Sequence, residues 1–173
     1  MVNTQINTKN LKIRPFQKSD ITEEYLSWLN DKELMKYSEQ RHKNHTFDSC
    51  LDYYESFEGS ENYFFGIENK TKEFLGTMTV YQDKNNRLFD IGIMIGSKKS
   101  RGKGFGYESW KAVMDWIEFN FEPRKITAGA MRNNEAMIKI FIKSGMSKDG
   151  IKQKHYLYKN ENVDVQYMAK FYI

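Results

Sequence analysis

Ser100-Arg101-Gly102-Lys103-Gly104-Phe105-Gly106-Tyr107 decides how this chain is read. Three glycines alternate here, and Lys98, Lys99, Arg101 and Lys103 crowd around them. On the far side Trp110, Val113, Met114, Ile117 and Phe121 recur at i, i+3, i+4, i+7 and i+11, a core-facing helix that Pro123 closes. On the near side Leu88–Ile95 alternates, with Phe89, Ile91, Ile93 and Ile95 on one face and Asp90, Gly92 and Met94 on the other. A glycine-rich turn between a strand and the start of a helix lets backbone N–H groups approach a ligand, and the helix adds a partial positive charge. The turn therefore predicts an anionic, phosphate-bearing ligand, and a plain structural turn is the alternative.

Two nucleotide motifs fit the turn badly. A hydrolase P-loop needs Lys-Ser or Lys-Thr after its last glycine, and none follows. A dinucleotide fingerprint belongs early in a βαβ unit with G-x-G-x-x-G spacing. Here the spacing is G-x-G-x-G, and it follows an antiparallel meander predicted over 63–68, 72–81 and 88–95.

Working outward, 11–16 reads as a first strand. Asp20 reads as a helix N-cap with Glu23 as its reciprocal partner, opening a helix that turns Ile21, Tyr25, Trp28 and Leu29 to one side. A second helix is predicted from Thr46, carrying Cys50, Leu51 and Tyr54 inward. After the central helix come a short strand at 125–131, a helix at 134–144 and two strands at roughly 151–158 and 163–172. The order predicts a single α/β (α+β) domain over 1–173, with one mixed, mostly antiparallel sheet of about seven strands flanked by four helices.

Composition narrows the class. An aromatic share of 15% in 173 residues supports a packed core. The net charge of +4 is spread along the chain, whereas a nucleic-acid binder would show a denser basic stripe. One cysteine, Cys50, permits neither an intrachain disulfide nor a cysteine-based zinc cluster. No apolar run is long enough for a membrane span, and residues 1–10 carry no signal-peptide pattern. The expectation is a cytoplasmic protein, monomer or homodimer, with no metal, nucleic acid or membrane partner.

Arg101-x-x-Gly104-x-Gly106 resembles the acetyl-CoA signature of the GNAT superfamily of acetyltransferases. Leu11–Phe16 with Asp20, Asp90-Ile91-Gly92-Ile93, and Asn134-x-x-Met137 through Lys143-Ser144-Gly145-Met146 are similar to that family's first strand, fourth strand and late helix. The second of these looks like the branch holding the ribosomal-protein N-terminal acetyltransferases. The resemblance implies acetyl-CoA as co-substrate and acyl transfer to an amine. It places backbone groups of Ile93, Met94 and Ile95 on the pantetheine arm and N–H groups of Arg101, Gly102, Lys103, Gly104, Phe105 and Gly106 on the pyrophosphate. Asn134 and Lys143 would contact the rest of the cofactor. Asp90 is the candidate base that takes the acceptor's proton. Phe141 stands where many members have a tyrosine that protonates the leaving thiolate, which opens a second class of reading, a non-catalytic acyl-CoA sensor.

Acceptor choice is expected in the segment 28–57. Trp28, Tyr37 and Arg41 there are the candidate substrate-binding residues, and the segment resembles enzymes acting on nucleotide-linked amino sugars. A protein N-terminus is the alternative acceptor, and an antibiotic or polyamine comes after it.

Overall fold

The structure is a computed structural model that describes residues 4–172. Its elements are β1 (Ile6–Asn7), β2 (Leu11–Pro15), α1 (Glu23–Leu29), α2 (Phe47–Glu55), β3 (Tyr63–Asn69), β4 (Phe74–Asp83), β5 (Leu88–Ile95), α3 (Phe105–Phe121), β6 (Lys125–Met131), α4 (Glu135–Lys143), β7 (Ser147–Tyr158) and β8 (Glu161–Phe171). They build one sheet of eight strands in the order β1-β2-β3-β4-β5-β6-β8-β7. Every strand pair is antiparallel except β5 with β6. The strand beyond the expected seven is the two-residue β1, too short to leave a periodic trace.

Strand alternation sends side chains to two separate cores. On one face Leu11, Ile13, Phe65, Ile67, Met78, Val80, Phe89 and Ile91 meet Trp110, Val113, Met114 and Ile117 of α3 and Phe141 of α4. On the other, Phe16, Ile21, Tyr25, Trp28, Cys50 and Phe64 form a smaller aromatic core under α1 and α2. Both inward-facing helix stripes therefore stand where their spacing placed them.

Asp20 is not the cap of α1. Thr22 holds that place, its side chain accepting from the Tyr25 N–H at 3.2 Å. The Asp20 carboxylate instead receives the Arg14 guanidinium at 2.6 and 2.8 Å, together with the Gln17 N–H at 2.7 Å. Arg14 also donates to Glu68 at 2.6 Å, so one guanidinium fastens β2, the turn before α1, and β3. At Thr46 the expectation and the structure agree: its side chain caps α2 through the Ser49 N–H at 3.2 Å.

The feature that positions a site is the short parallel contact. β5 and β6 pair only through Leu88–Lys125, Phe89–Ile126 and Asp90–Thr127. Beyond Asp90 the strands part: β5 continues to Ile95 on β4, while β6 continues to Met131 on β8. A wedge opens in the middle of the sheet.

Candidate active site

The wedge exposes one edge of β5. Gly96 donates its N–H to Leu75 O at 2.9 Å, which marks Gly96 and Leu75 as a hydrogen-bonded antiparallel pair. Alternation then commits the peptide groups of Met94 and Gly92 to Thr77 and Thr79 of β4. The peptide groups of Ile93 and Ile95 point the other way, into the gap that β6 has left. Ile93 and Ile95 thus present backbone donors and acceptors to that gap. Met94 does not, because its peptide faces β4, and a Cβ on Gly76 would stand 2.0 Å from Met94 O. Met94 contributes its side chain instead.

From the free edge the chain passes through Gly96, Ser97 and a single 3-10 turn at Lys98–Ser100 into the glycine-rich turn. Gly102 and Gly104 have φ of 74° and 82°, a region that L side chains enter at a cost, and a Cβ on either would meet nothing within 4 Å. Gly104 is the N-cap of α3, which begins at Phe105. The first helical bond runs from the Glu108 N–H to Gly104 O at 3.0 Å. Among the described residues, no protein acceptor takes the N–H groups of 102 to 107. An open concavity lined by unpaired amides at a helix start fits a diphosphate. Gly106 serves another purpose: a Cβ there would be 3.3 Å from Ile140 Cδ1, so the missing side chain lets α4 approach α3. Arg101 and Lys103 lie exposed on the turn, and Phe105 packs against the larger core.

A cavity of about 760 Å³ passes through the wedge. Ile91, Gly92, Ile93, Met94 and Ile95 form its spine, and Thr77 and Thr79 face it from β4. At one end it is walled by Gly106, Trp110, Gly129, Ala130, Asn134, Met137, Ile140 and Phe141. At the other it is walled by the α1–α2 connection and the inner side of α2: Tyr37, Ser38, Gln40, Lys43, Asn44, His45, Ser49 and Tyr53, with Tyr25. Asn134 lines the cavity and is also the N-cap of α4, its side-chain oxygen accepting from the Met137 N–H at 3.3 Å. Lys143 stands outside the lining, exposed, with its ammonium 4.1 Å from the centre of the Tyr107 ring. Phe141 is buried against Trp110, ring centres 5.1 Å apart, and lines the cavity.

Asp90 lies on the β5 face shared with Gly92 and Met94, two residues along from Gly92, a step of roughly 7 Å. Its cross-strand neighbours are Tyr81 and Thr127. Burial pushes its carboxyl up to about 6. It does not line the cavity itself.

The substrate-binding expectations divide. Tyr37 lines the cavity, its ring 5.7 Å from that of Tyr158. Trp28 does not: it is 6% exposed, stacked on Phe74 at 5.5 Å and 15°, and belongs to the smaller core. An indole at a helix bend reads as a stacking surface in the sequence, yet that bend is where α1 seals against the sheet. Arg41 is also spent within the protein, ion-paired to Glu39 at 2.7 Å and donating to Ser38 O and Leu157 O at 3.0 and 3.1 Å. Sequence reasoning misses His45 and Tyr53. The His45 Nε2 is sheltered from solvent with no hydrogen-bond partner, and its backbone is pinned at both N–H and C=O by Asn30, each at 2.9 Å. Tyr53 shares a 2.8 Å hydroxyl contact with Tyr81. Neither residue stands in a motif, so no local signal marks them.

Comparison with known proteins agrees with this geometry. Over 107 residues, or 60% of this chain, the sequence is 30% identical to a probable N-acetyltransferase, YjcK, of Bacillus subtilis (strain 168); the match spans 59% of that relative's length. The spermidine N-acetyltransferase of Vibrio cholerae, solved in complex with CoA and spermine, superposes with a TM-score of 0.84 at 17% identity, covering 95% of this chain and 96% of that one. The ribosomal-protein-S5-alanine acetyltransferase of Vibrio fischeri superposes with a TM-score of 0.81 at 18% identity, covering 98% and 97%. At such identities the two structures speak for the fold alone. The family profile of the acetyltransferase (GNAT) domain matches residues 10–147, taking in the wedge, the glycine turn and α4, and the chain belongs to that family.

Proposed function

We propose that the protein transfers the acetyl group of acetyl-CoA to the primary amine of a small polar molecule, with a nucleotide-linked amino sugar as the acceptor class. One observation carries the transfer reading: the free peptide edge of Ile93 and Ile95 ends at the unpaired amides of 102 to 107. An extended, amide-bearing arm can add to that edge as a strand would, with its diphosphate seated at the start of α3. When bound, acetyl-CoA supplies a thioester carbonyl that an unprotonated amine attacks, giving an amide and a free thiol.

The chain's own residues do the rest. A peptide N–H on the β5 edge would hold the carbonyl oxygen as negative charge develops. Asp90, with its carboxyl near 6, is ionised at neutral pH and basic enough to draw a proton from the acceptor's ammonium through water. Phe141 has no proton to give, so the departing thiolate takes one from solvent in the cavity. The acceptor end sets hydroxyl and amide groups and the flat rings of Tyr37 and Tyr53 among apolar residues such as Leu34 and Met35, a mixture that supports a sugar-like partner. Loss of Trp28 and Arg41 from that end narrows the case for the nucleotide portion.

The test is thiol release from acetyl-CoA over a panel of nucleotide-linked amino sugars, peptides and polyamines. Turnover on an amino sugar well above the acceptor-free rate is expected. Tight coenzyme A binding without turnover on any amine would instead favour the acyl-CoA sensor, the reading that Phe141 supports.

A further inference from the structure

The α1–α2 connection is rich in charge, and its charges are sorted. Asp31 accepts from the Glu33 and Leu34 N–H groups at 3.0 and 3.1 Å and pairs with Lys98 at 3.1 Å. Glu33 pairs with Lys36 at 3.6 Å, and Glu39 pairs with Arg41 at 2.7 Å and faces His42 at 3.8 Å. Each acid of the connection is thereby engaged by the protein. Among the described residues, no Asp or Glu lines the cavity, and Asp90 on β5 stands outside the lining. Lys43 and His45 do line it. The Lys43 ammonium has no ion partner among the described residues, and the His45 Nε2 is sheltered and unsatisfied while Asn30 fixes its backbone. A sheltered nitrogen without a partner is costly unless a ligand supplies one.

We infer that the acceptor is an amine that also carries an anionic group, phosphate or carboxylate, which Lys43 and His45 receive. The inference rests on the transfer reading for the word acceptor, but its physical content is the charge preference of this end of the cavity. A polycation would need carboxylates in the lining to offset its charge, and would meet a lysine instead. An anion would find an ammonium, a ring nitrogen and the hydroxyl and amide groups of Ser38, Gln40, Asn44 and Ser49.

The experiment reads binding, so that it stands apart from turnover. Glucosamine and glucosamine 6-phosphate form one matched pair, Ala-Asn amide and Ala-Asp amide a second, and spermidine is the polycation. Each is titrated calorimetrically into the full chain saturated with coenzyme A. The anionic member of at least one pair should bind about threefold to tenfold tighter than its neutral twin, as a partly exposed ion pair allows, with spermidine weakest. The pair showing the larger gap tells phosphate from carboxylate. Lys43→Glu should abolish the gap while the Kd for coenzyme A stays within about twofold. Spermidine binding as tightly as the anionic probes, no binding by either anionic probe, or a gap that survives Lys43→Glu overturns the inference. So does loss of coenzyme A affinity in Lys43→Glu, which would put Lys43 on the cofactor. A preserved anion preference with no thiol release from these probes or from any nucleotide-linked amino sugar, peptide or polyamine would remove the transfer reading and leave the inference standing.

Discussion

Gly96 passes so close to Trp28 that a Cβ on the glycine would stand 2.0 Å from the indole ring. The contact welds α1 to the end of β5, one residue after the free strand edge and a few before the glycine turn. Overpacking at a backbone-to-ring contact has no flexible side-chain end to give way, so Gly96→Ala must move either α1 or β5. We predict a loss of about 1–3 kcal/mol in urea unfolding, with weaker coenzyme A binding in the fraction that folds. Trp28→Ala leaves a cavity instead and should cost about 3–5 kcal/mol. Wild-type stability in Gly96→Ala would mean that this packing does not position the site.

Gly104 separates two roles of glycine. Its φ of 82° makes any side chain strained, while the space around a Cβ is empty. Gly104→Ala should therefore cost about 1 kcal/mol of backbone strain and leave coenzyme A affinity within a few-fold. Gly104→Glu fills the concavity and adds negative charge to it, and should weaken coenzyme A by at least about tenfold in calorimetric titration. Equal affinity in the two variants would show that the diphosphate sits elsewhere.

How far the sequence can be read depends on whether an element's determinants are local. β5 and β6 have the bounds their alternation and flanking turns predict, Leu88–Ile95 and Lys125–Met131. The start of β7 is expected at 151 but lies at Ser147, because residues 147 to 155 are exposed on both faces and alternate in nothing. Its pairing with β8 holds it, and that is information from across the hairpin. Asp20 reads as a cap because a carboxylate before a helix usually is one; its true partner, Arg14, becomes visible only with the fold. The glycine turn at the start of α3 is legible for the same reason as β5: the glycines, the helix start and the strand are close together in the chain. The acceptor end is assembled from α1, the connection and α2, so His45 depends on Asn30 fifteen positions earlier.

Arg14, Asp20 and Glu68 are largely removed from water, with side-chain exposures of 13%, 10% and 12%. Removing one partner of such a group leaves the others desolvated and unpaired. Asp20→Ala should destabilise the fold by about 3–5 kcal/mol, while Asp20→Asn, which can still accept one bond, should lose less. Urea midpoints of the two variants check this. Because the triad lies away from the cavity lining, the Kd of the folded fraction for coenzyme A should not move.

Asn30 offers a test of the acceptor end that spares the cofactor end. Its amide holds the His45 backbone through two bonds of 2.9 Å. Asn30→Ala frees the segment that carries Lys43 and His45, and should raise KM for the amine acceptor several-fold at an unchanged Kd for coenzyme A. Steady-state kinetics with a fixed acceptor and a separate coenzyme A titration give the two numbers. A shift in both would mean that the connection supports the cofactor as well.

Asp90 ties function to stability through one carboxyl. Its folded value near 6 lies above the ordinary 3.8, so the folded state holds the proton more tightly than the unfolded chain does. Below about pH 4 both states are protonated and burial costs nothing extra. As pH rises through 6 the folded carboxyl ionises inside the protein, and the full cost is present at pH 7 and above. The rise from 3.8 to about 6 sets an upper bound of about 3 kcal/mol on that cost. Asp90→Asn should therefore unfold at higher urea than the parent at pH 7.5, by about 1–3 kcal/mol, with the gain shrinking towards zero near pH 4. Activity should move the opposite way. In the parent, kcat/KM should rise through an inflection near pH 6 as the base ionises. In Asp90→Asn that limb should disappear and turnover should fall at least about tenfold, with coenzyme A affinity intact. A variant that is more stable at pH 7.5 yet keeps the parent's pH–rate profile would assign Asp90 to a buried strand and leave the proton to water.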